Sequence, residues 1–151
     1  MTFRTILVGV DGSTPAHTAT DVAADLAQHY GASLILLHVH AQRTTSRELE
    51  GLAEYGRIEH LHMTEGDLLR TLGKSIVETA ADRVRKSGVK KVETVVEIGD
   101  PATTIIAVAK ARDADLIVVG RRGVGALAGL LMGSVSHKVI QLADRPCLTV
   151  G

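Results

Sequence analysis

The sequence predicts a three-layer doubly wound α/β fold, with five parallel strands in the order 3-2-1-4-5 and helices on both faces of the sheet. Three observations carry that expectation. Short apolar runs rich in branched residues, Thr5–Val10, Ser33–Val39 and Leu116–Val119, show no polar alternation, the pattern of strands covered on both faces. Between the runs lie stretches whose small and apolar residues recur every three or four positions, as one face of a helix requires. The loops after the first and fourth runs, beginning at Asp11 and Gly120, hold glycine, serine and aspartate where a ligand meets such a sheet, beyond the carboxyl ends of its strands.

Taken in order, Thr5–Val10 is the first strand and Asp11-Gly12-Ser13-Thr14-Pro15 a turn into a helix, with Thr14 the expected N-cap and Pro15 at the first helical position. That helix is written in alanine, at 16, 19, 23, 24 and 27, so that it lies close on the sheet, and Gly31 ends it as a left-handed cap. Ser33–Val39 is the second strand. From about Ala41 to Glu65 the charges are dense and no apolar period holds, which predicts a solvated excursion with one short helix. Leu68, Leu69, Leu72, Ile76, Val77, Ala80, Ala81 and Val84 then mark an amphipathic helix closed by Ser87-Gly88. Lys91–Ile98 alternates, as an edge strand does, and Gly99-Asp100-Pro101 repeats the cap and proline start for a helix through Ala111. Leu116–Val119, the glycine loop, a helix from about Val135 to Leu142 and a last strand, Pro146–Val150, complete the chain.

Composition narrows the function. The 151 residues carry 17 basic and 17 acidic side chains, no tryptophan, two tyrosines and one phenylalanine, so the basic face and stacking platforms of a nucleic-acid binder are missing. Cys147 is the only cysteine and reads as a small buried hydrophobe. It excludes an intrachain disulfide and favours a reducing compartment. The start, Met1-Thr2-Phe3-Arg4, leads straight into a strand without a signal-like apolar stretch, and no run reaches the length of a membrane span. A cytoplasmic protein is expected.

The organising stretch is Asp115–Ser134, a strand, a glycine loop and a helix start. Such an arrangement offers backbone N–H groups and the positive end of a helix dipole to an anion, first of all a phosphate. Gly120, two residues, Gly123, nine residues, then Gly133-Ser134, together with Val8-Gly9-Val10-Asp11-Gly12-Ser13 near the start, resembles the nucleotide-binding signature of the universal stress protein family. The resemblance covers about Thr2–Ala41 and Glu65–Gly151. It implies a Rossmann-like nucleotide-binding domain over residues 1–151, with 41–65 as a variable excursion, acting as an ATP-dependent regulatory or stress-response module.

By the same resemblance Gly120, Gly123, Gly133, Ser134 and Val135 hold the phosphates. Gly9, Val10 and Val39 border the adenine or ribose, Val39 through its main chain, with Val119 on the opposite side. Arg121 and Arg122 add charge, and Arg122 is counted among the nucleotide contacts. A carboxylate beside phosphates is repulsive, so Asp11 either accepts a ribose hydroxyl or helps to hold magnesium; as a plain turn residue it would instead bond the backbone before Thr14. The resemblance further implies a homodimer paired through the last strand, whose apolar run Thr149 interrupts, and an unidentified protein partner.

Other readings are weighed on their residues. Gly73-Lys74-Ser75 imitates the end of a phosphate-binding P-loop, but Leu68 stands where its first glycine belongs and the stretch sits inside a helix. Gly123-Val124-Gly125 opens a dinucleotide pattern that Ala128 breaks. His38/His40 and His60/His62 each put two imidazoles on one face of an extended chain, a metal-capable spacing, but without a neighbouring cysteine ordinary histidines are the simpler reading. No acid, base or nucleophile pair marks a catalytic centre. Asp11 and Ser134 have no evident partner, and His137 is expected on the helix surface. Weak ATP hydrolysis and a nucleotide-independent interaction module are the alternatives.

Overall fold

The computed structural model describes residues 1–41, 64–123 and 132–151. The expected short helix of the excursion, the His60/His62 pair and the middle of the glycine loop, with Gly125, Ala128 and Gly129, lie outside the described residues. The elements run β1 (Thr5–Gly9), α1 (Thr14–Tyr30), β2 (Ser33–His40), α2 (Glu65–Ser87), β3 (Val92–Ile98), α3 (Pro101–Ala111), β4 (Leu116–Gly120), α4 (Ser134–Leu142) and β5 (Cys147–Val150). The strands form one parallel sheet in the order β3-β2-β1-β4-β5, as the sequence predicts.

Each face of the sheet has its own core, which is why the central strands lack polar alternation. Ile6, Val8, Leu34 and Leu36 point to one side, where Ala19, Ala23 and Ala27 of α1 and Ala81 and Val84 of α2 cover them. Leu7, Ile35, Leu37 and Ile117 point to the other, against Ile105 and Ala109 of α3 and Val139 of α4. The alanine stripe of α1 is fully buried, and the strands at its contact are among the least exposed residues of the protein. Asp115, just before β4, accepts the Arg4 and Thr5 amides at 2.7 and 2.9 Å and so ties β4 to the start of β1. These two amide bonds hold its carboxyl below the usual range.

Helix ends follow the expected signals with one correction. Ser13, not Thr14, caps α1: its backbone is extended and its side-chain oxygen accepts the Ala16 amide at 3.3 Å. Thr14 is the first helical residue and Pro15 follows it, still among the positions whose N–H has no helical acceptor. Gly31 and Gly88 close α1 and α2 in left-handed conformations, and Asp100 caps α3 ahead of Pro101. A second correction concerns Leu72, expected on the buried face of α2 and 45% exposed. The sheet-facing stripe runs through Leu69, Gly73, Val77, Ala80, Ala81 and Val84, and Leu72 falls one residue off it. The last strand starts at Cys147 rather than Pro146, and β3 at Val92 rather than Lys91.

Candidate functional site at the switch point of the sheet

β1 pairs with β2 on one side and β4 on the other, so the carboxyl ends of β1 and β4 lie side by side. Their following helices leave to opposite faces, α1 toward the first core and α4 toward the second. A crevice between departing loops is the consequence, and it is where open α/β sheets bind ligands.

The loop after β1 is braced by Asp11. Its Oδ1 accepts the Ser13 amide at 2.9 Å and the Ser13 hydroxyl at 2.5 Å, and Ser13 in turn caps α1. The turn role foreseen for Asp11 is therefore real. Its other oxygen lies against the glycine loop: a Cβ on Gly123 would come within 2.6 Å of Asp11 Oδ2. Residues 112 positions apart in sequence thus share one contact, and only a residue without a side chain lets the backbone pass there.

The loop after β4 is held at both ends. Gly120 passes the first turn of α1 so closely that a Cβ would meet the Pro15 carbonyl carbon at 2.9 Å and the Ala16 nitrogen at 3.1 Å. The Gly133 amide donates to the Arg121 carbonyl at 2.7 Å, and the buried Ser136 hydroxyl donates to the same carbonyl at 2.8 Å. The start and end of the loop are therefore clasped, which delivers α4 to the crevice. Ser136 is a positioning residue that sequence reading missed, since one more serine in a helix carries no signal of its own.

The N-terminus of α4 differs from the others. Ser13, Thr64 and Asp100 satisfy first-turn amides of α1, α2 and α3 with side-chain oxygens, whereas Gly133 at the start of α4 offers none. Ser134 is exposed there, and Val135 is half-buried against the second core. Arg121 and Arg122 part company. Arg121 donates its amide to the Val150 carbonyl at 2.6 Å and lays its guanidinium against Gly151, toward β5. Arg122 stays with the loop, its Cα 3.3 Å from the place of a Gly133 Cβ.

The remaining predicted contacts are apolar. Val119 is buried in the second core, and a Cβ on Gly9 would sit 3.5 Å from it. Val10 is buried in the first core and Val39 half-buried against the second. Packing against the two cores accounts for these side chains.

The histidines are placed as follows. His38 is buried, with Nδ1 2.6 Å from the Val10 carbonyl oxygen, and its ring meets that of His40 edge to face at 4.4 Å. Among the described residues no third histidine, cysteine, aspartate or glutamate joins them as a metal-sized cluster. Gly73 lies over the pair within α2, so the Gly73-Lys74-Ser75 stretch is helix packing, as its sequence context indicates. His137 is exposed on α4. Cys147 is half-buried, its thiol donating to the Arg145 carbonyl at 3.4 Å and pushed up in pKa by burial.

Fold and crevice together define a Rossmann-like doubly wound protein with a glycine-lined site at its switch point. A sequence model described as the universal stress protein family matches residues 2–151, and the chain belongs to that family. Universal stress protein YxiE of Bacillus subtilis is 37% identical over 149 residues, covering 98% of this chain and 99% of its own. A universal stress protein of Thermus aquaticus is 34% identical, with 98% of each chain covered. Among solved structures, the protein MJ0577 superposes with a TM-score of 0.79 at 25% identity, over 99% of this chain and 96% of its own. A universal stress protein solved in complex with cAMP gives 0.75 at 26% identity, over 100% of this chain and 99% of its own.

Proposed function

We propose that this protein binds ATP in the crevice between the loops after β1 and β4 and acts as a nucleotide-dependent regulatory or stress-response module. The observation that carries the reading is the N-terminus of α4, without a side-chain cap, at the end of a clasped loop whose Gly123 backbone passes over Asp11. First-turn amides without a side-chain acceptor favour an anion, and the glycines leave room for its oxygens. In this reading Gly120, Gly123, Gly133, Ser134 and Val135 cradle the phosphates and Arg122 balances their charge. Gly9, Val10, Val39 and Val119 present main chain to the base and sugar. Asp11 is assigned to a ribose hydroxyl or to magnesium, which as a hard cation takes carboxylate and phosphate oxygens together.

The relative solved with cAMP supports an adenine nucleotide as the ligand class. ATP is the reading here because the glycine spacing matches the ATP-binding branch. We assign no catalytic residue, and turnover beyond weak hydrolysis is not expected. The same reading makes residues 1–151 one nucleotide-binding domain, working in the cytoplasm as a homodimer through β5, with a protein partner downstream. Among the described residues no helix is long and apolar enough to cross a membrane.

The direct test is to purify the protein without added nucleotide, denature it, identify any small molecule released, and titrate the emptied protein with ATP and magnesium. Tight binding with no appreciable ADP over hours supports a switch that reads nucleotide. Rapid ADP formation would make it an enzyme. Failure to bind at millimolar ATP would leave a nucleotide-independent interaction module.

A further inference from the structure

The ladder between β1 and β2 ends in a way that its register does not require. Gly9 pairs with Leu37, so the next pair is Val10 with His38, and the Val10 amide duly donates to the Leu37 carbonyl at 2.8 Å. In a parallel ladder the residue that donates to one partner position accepts from the amide two positions further on. The Val10 carbonyl would therefore take the Val39 N–H. It takes His38 Nδ1 instead, at 2.6 Å. A carbonyl only accepts, so Nδ1 carries the proton, and the ring is buried where it cannot exchange this bond for water.

We infer that His38 is the positioning residue that holds the adenine subsite open. By occupying the Val10 carbonyl, its imidazole stops β1 from zipping one more residue along β2 and leaves the Val39 main-chain edge turned toward the crevice. That edge is a donor and an acceptor side by side, the pair that an adenine presents in reverse. The adjoining structure holds the ring in place. Gly73 of α2 passes so close that a Cβ there would sit 3.2 Å from His38 Cδ2 and 3.1 Å from His40 Nε2, and the two rings meet edge to face. The inference rests on the nucleotide reading above for its ligand, but the state of the Val39 amide does not.

Two measurements on the wild type, His38→Leu and His38→Asn separate the outcomes. Leucine removes the donor; asparagine places an amide nitrogen near the position of Nδ1. The first measurement is the ratio of ATP to inorganic tripolyphosphate affinity, because tripolyphosphate reports the phosphate cradle alone. His38→Leu should lose about tenfold or more of the ATP affinity, the worth of a lost pair of hydrogen bonds, with tripolyphosphate binding unchanged, and His38→Asn should recover most of it. A merely structural histidine would lower both affinities together, and that result overturns the inference while leaving the nucleotide reading intact. The second is amide exchange without any ligand. Val39 N–H should exchange faster in the wild type than the amides inside the β1–β2 ladder, and slow in His38→Leu. A Val39 amide already as protected as its neighbours overturns the inference whatever the protein binds, and a wild type that ignores ATP overturns the nucleotide reading separately.

Discussion

Gly73 and Gly123 are both glycines that a larger residue would crowd, yet they constrain different properties. At Gly73 a Cβ would lie 2.5 Å from Val96 Cγ1 of β3, with the rings of His40 and His38 at 3.1 and 3.2 Å, so α2 itself would have to move off the sheet. Overpacking of this kind costs about 1–3 kcal/mol, against about 1 kcal/mol gained by replacing glycine within a helix. At Gly123 the obstacle is Asp11 Oδ2 at 2.6 Å, the end of a side chain, but one whose other oxygen is tied to Ser13. Gly73→Ala should therefore lower the urea midpoint, a net loss of up to about 2 kcal/mol, and, since it crowds His38 but not the glycine loop, leave tripolyphosphate affinity within a few-fold. Gly123→Ala should do the reverse, weakening ATP binding at least about tenfold with little change in midpoint. Urea unfolding and calorimetric titration of the two variants check this. Equal effects on both properties would mean that the crevice is not separable from the core. The sequence marked Gly123 through its spacing from Gly120 and Gly133. It gave Gly73 no role beyond a false P-loop, because a helical glycine announces neither which neighbour it approaches nor how closely.

At the scale of elements, what the sequence made legible was the sign of each helix end. Serine or aspartate followed by the helical period placed the starts of α1 and α3 to within a residue, and Gly31 and Gly88 placed two ends, whereas the Thr64 cap of α2, at the edge of the charged excursion, drew no expectation. The shift of the α1 cap from Thr14 to Ser13 was not legible, since both side chains can cap and only the three-dimensional turn, with Asp11 gripping Ser13, decides between them. Asp100 shows what such a cap contributes. It accepts the Thr103 amide at 3.0 Å and pairs with Lys138 of α4 at 3.0 Å, so it joins two helices on one face of the sheet. The Thr103 amide first, then Lys138 and the Thr103 hydroxyl, lower its pKa from 3.8 to about 2. A depressed carboxylate pKa stabilises the fold above the unfolded value and loses that contribution as pH falls through the folded one. Because the pair is half exposed, solvent screens it, and the cap geometry sets the magnitude. Asp100→Ala should cost about 1 kcal/mol at neutral pH. The gap between the variant and the wild type should hold down to about pH 4 and narrow toward pH 2. Urea midpoints across that range test it, and a gap independent of pH would assign the cap to shape rather than charge.

At the scale of the whole molecule, the sheet order followed from the sequence because the central strands are so uniformly apolar that only parallel, doubly covered positions suit them, while the alternating β3 belongs at an edge. The crevice was legible from the two loops that end β1 and β4. Its left wall, where His38 meets Val10, was not, because the histidine pair looked the same in sequence whether it bound metal, solvent or a neighbouring carbonyl. The other edge of the sheet poses the question of assembly. β5 is four half-buried residues long and pairs with β4 alone, in a register that gives the Ile117 amide to the Pro146 carbonyl and the Arg121 amide to the Val150 carbonyl. In a parallel ladder that pattern turns the amides of Leu148 and Val150 inward and those of Cys147 and Thr149 outward. An outward row of donors and acceptors on a short apolar strand invites a second copy, and two-fold pairing of β5 with itself would continue the sheet from one protomer into the next. Thr149→Pro deletes an outward N–H while sparing every bond to β4, a place where a strand tolerates proline. Light scattering should give the wild type twice the 16.0 kDa of the chain and Thr149→Pro a single chain of unchanged secondary structure. If the variant still pairs, the interface lies elsewhere, and exposed Ile140 and Leu142 on α4 become its first candidates; if the wild type is itself a monomer, the edge is left to another partner. The Arg121 amide binds the β5 carbonyl at Val150 and its carbonyl accepts the Gly133 amide, so this one residue joins the edge strand to the proposed phosphate cradle. A ligand held at Gly123 and Gly133 would therefore act on a residue bonded to β5, and loss of pairing in Thr149→Pro should be accompanied by weaker ATP binding.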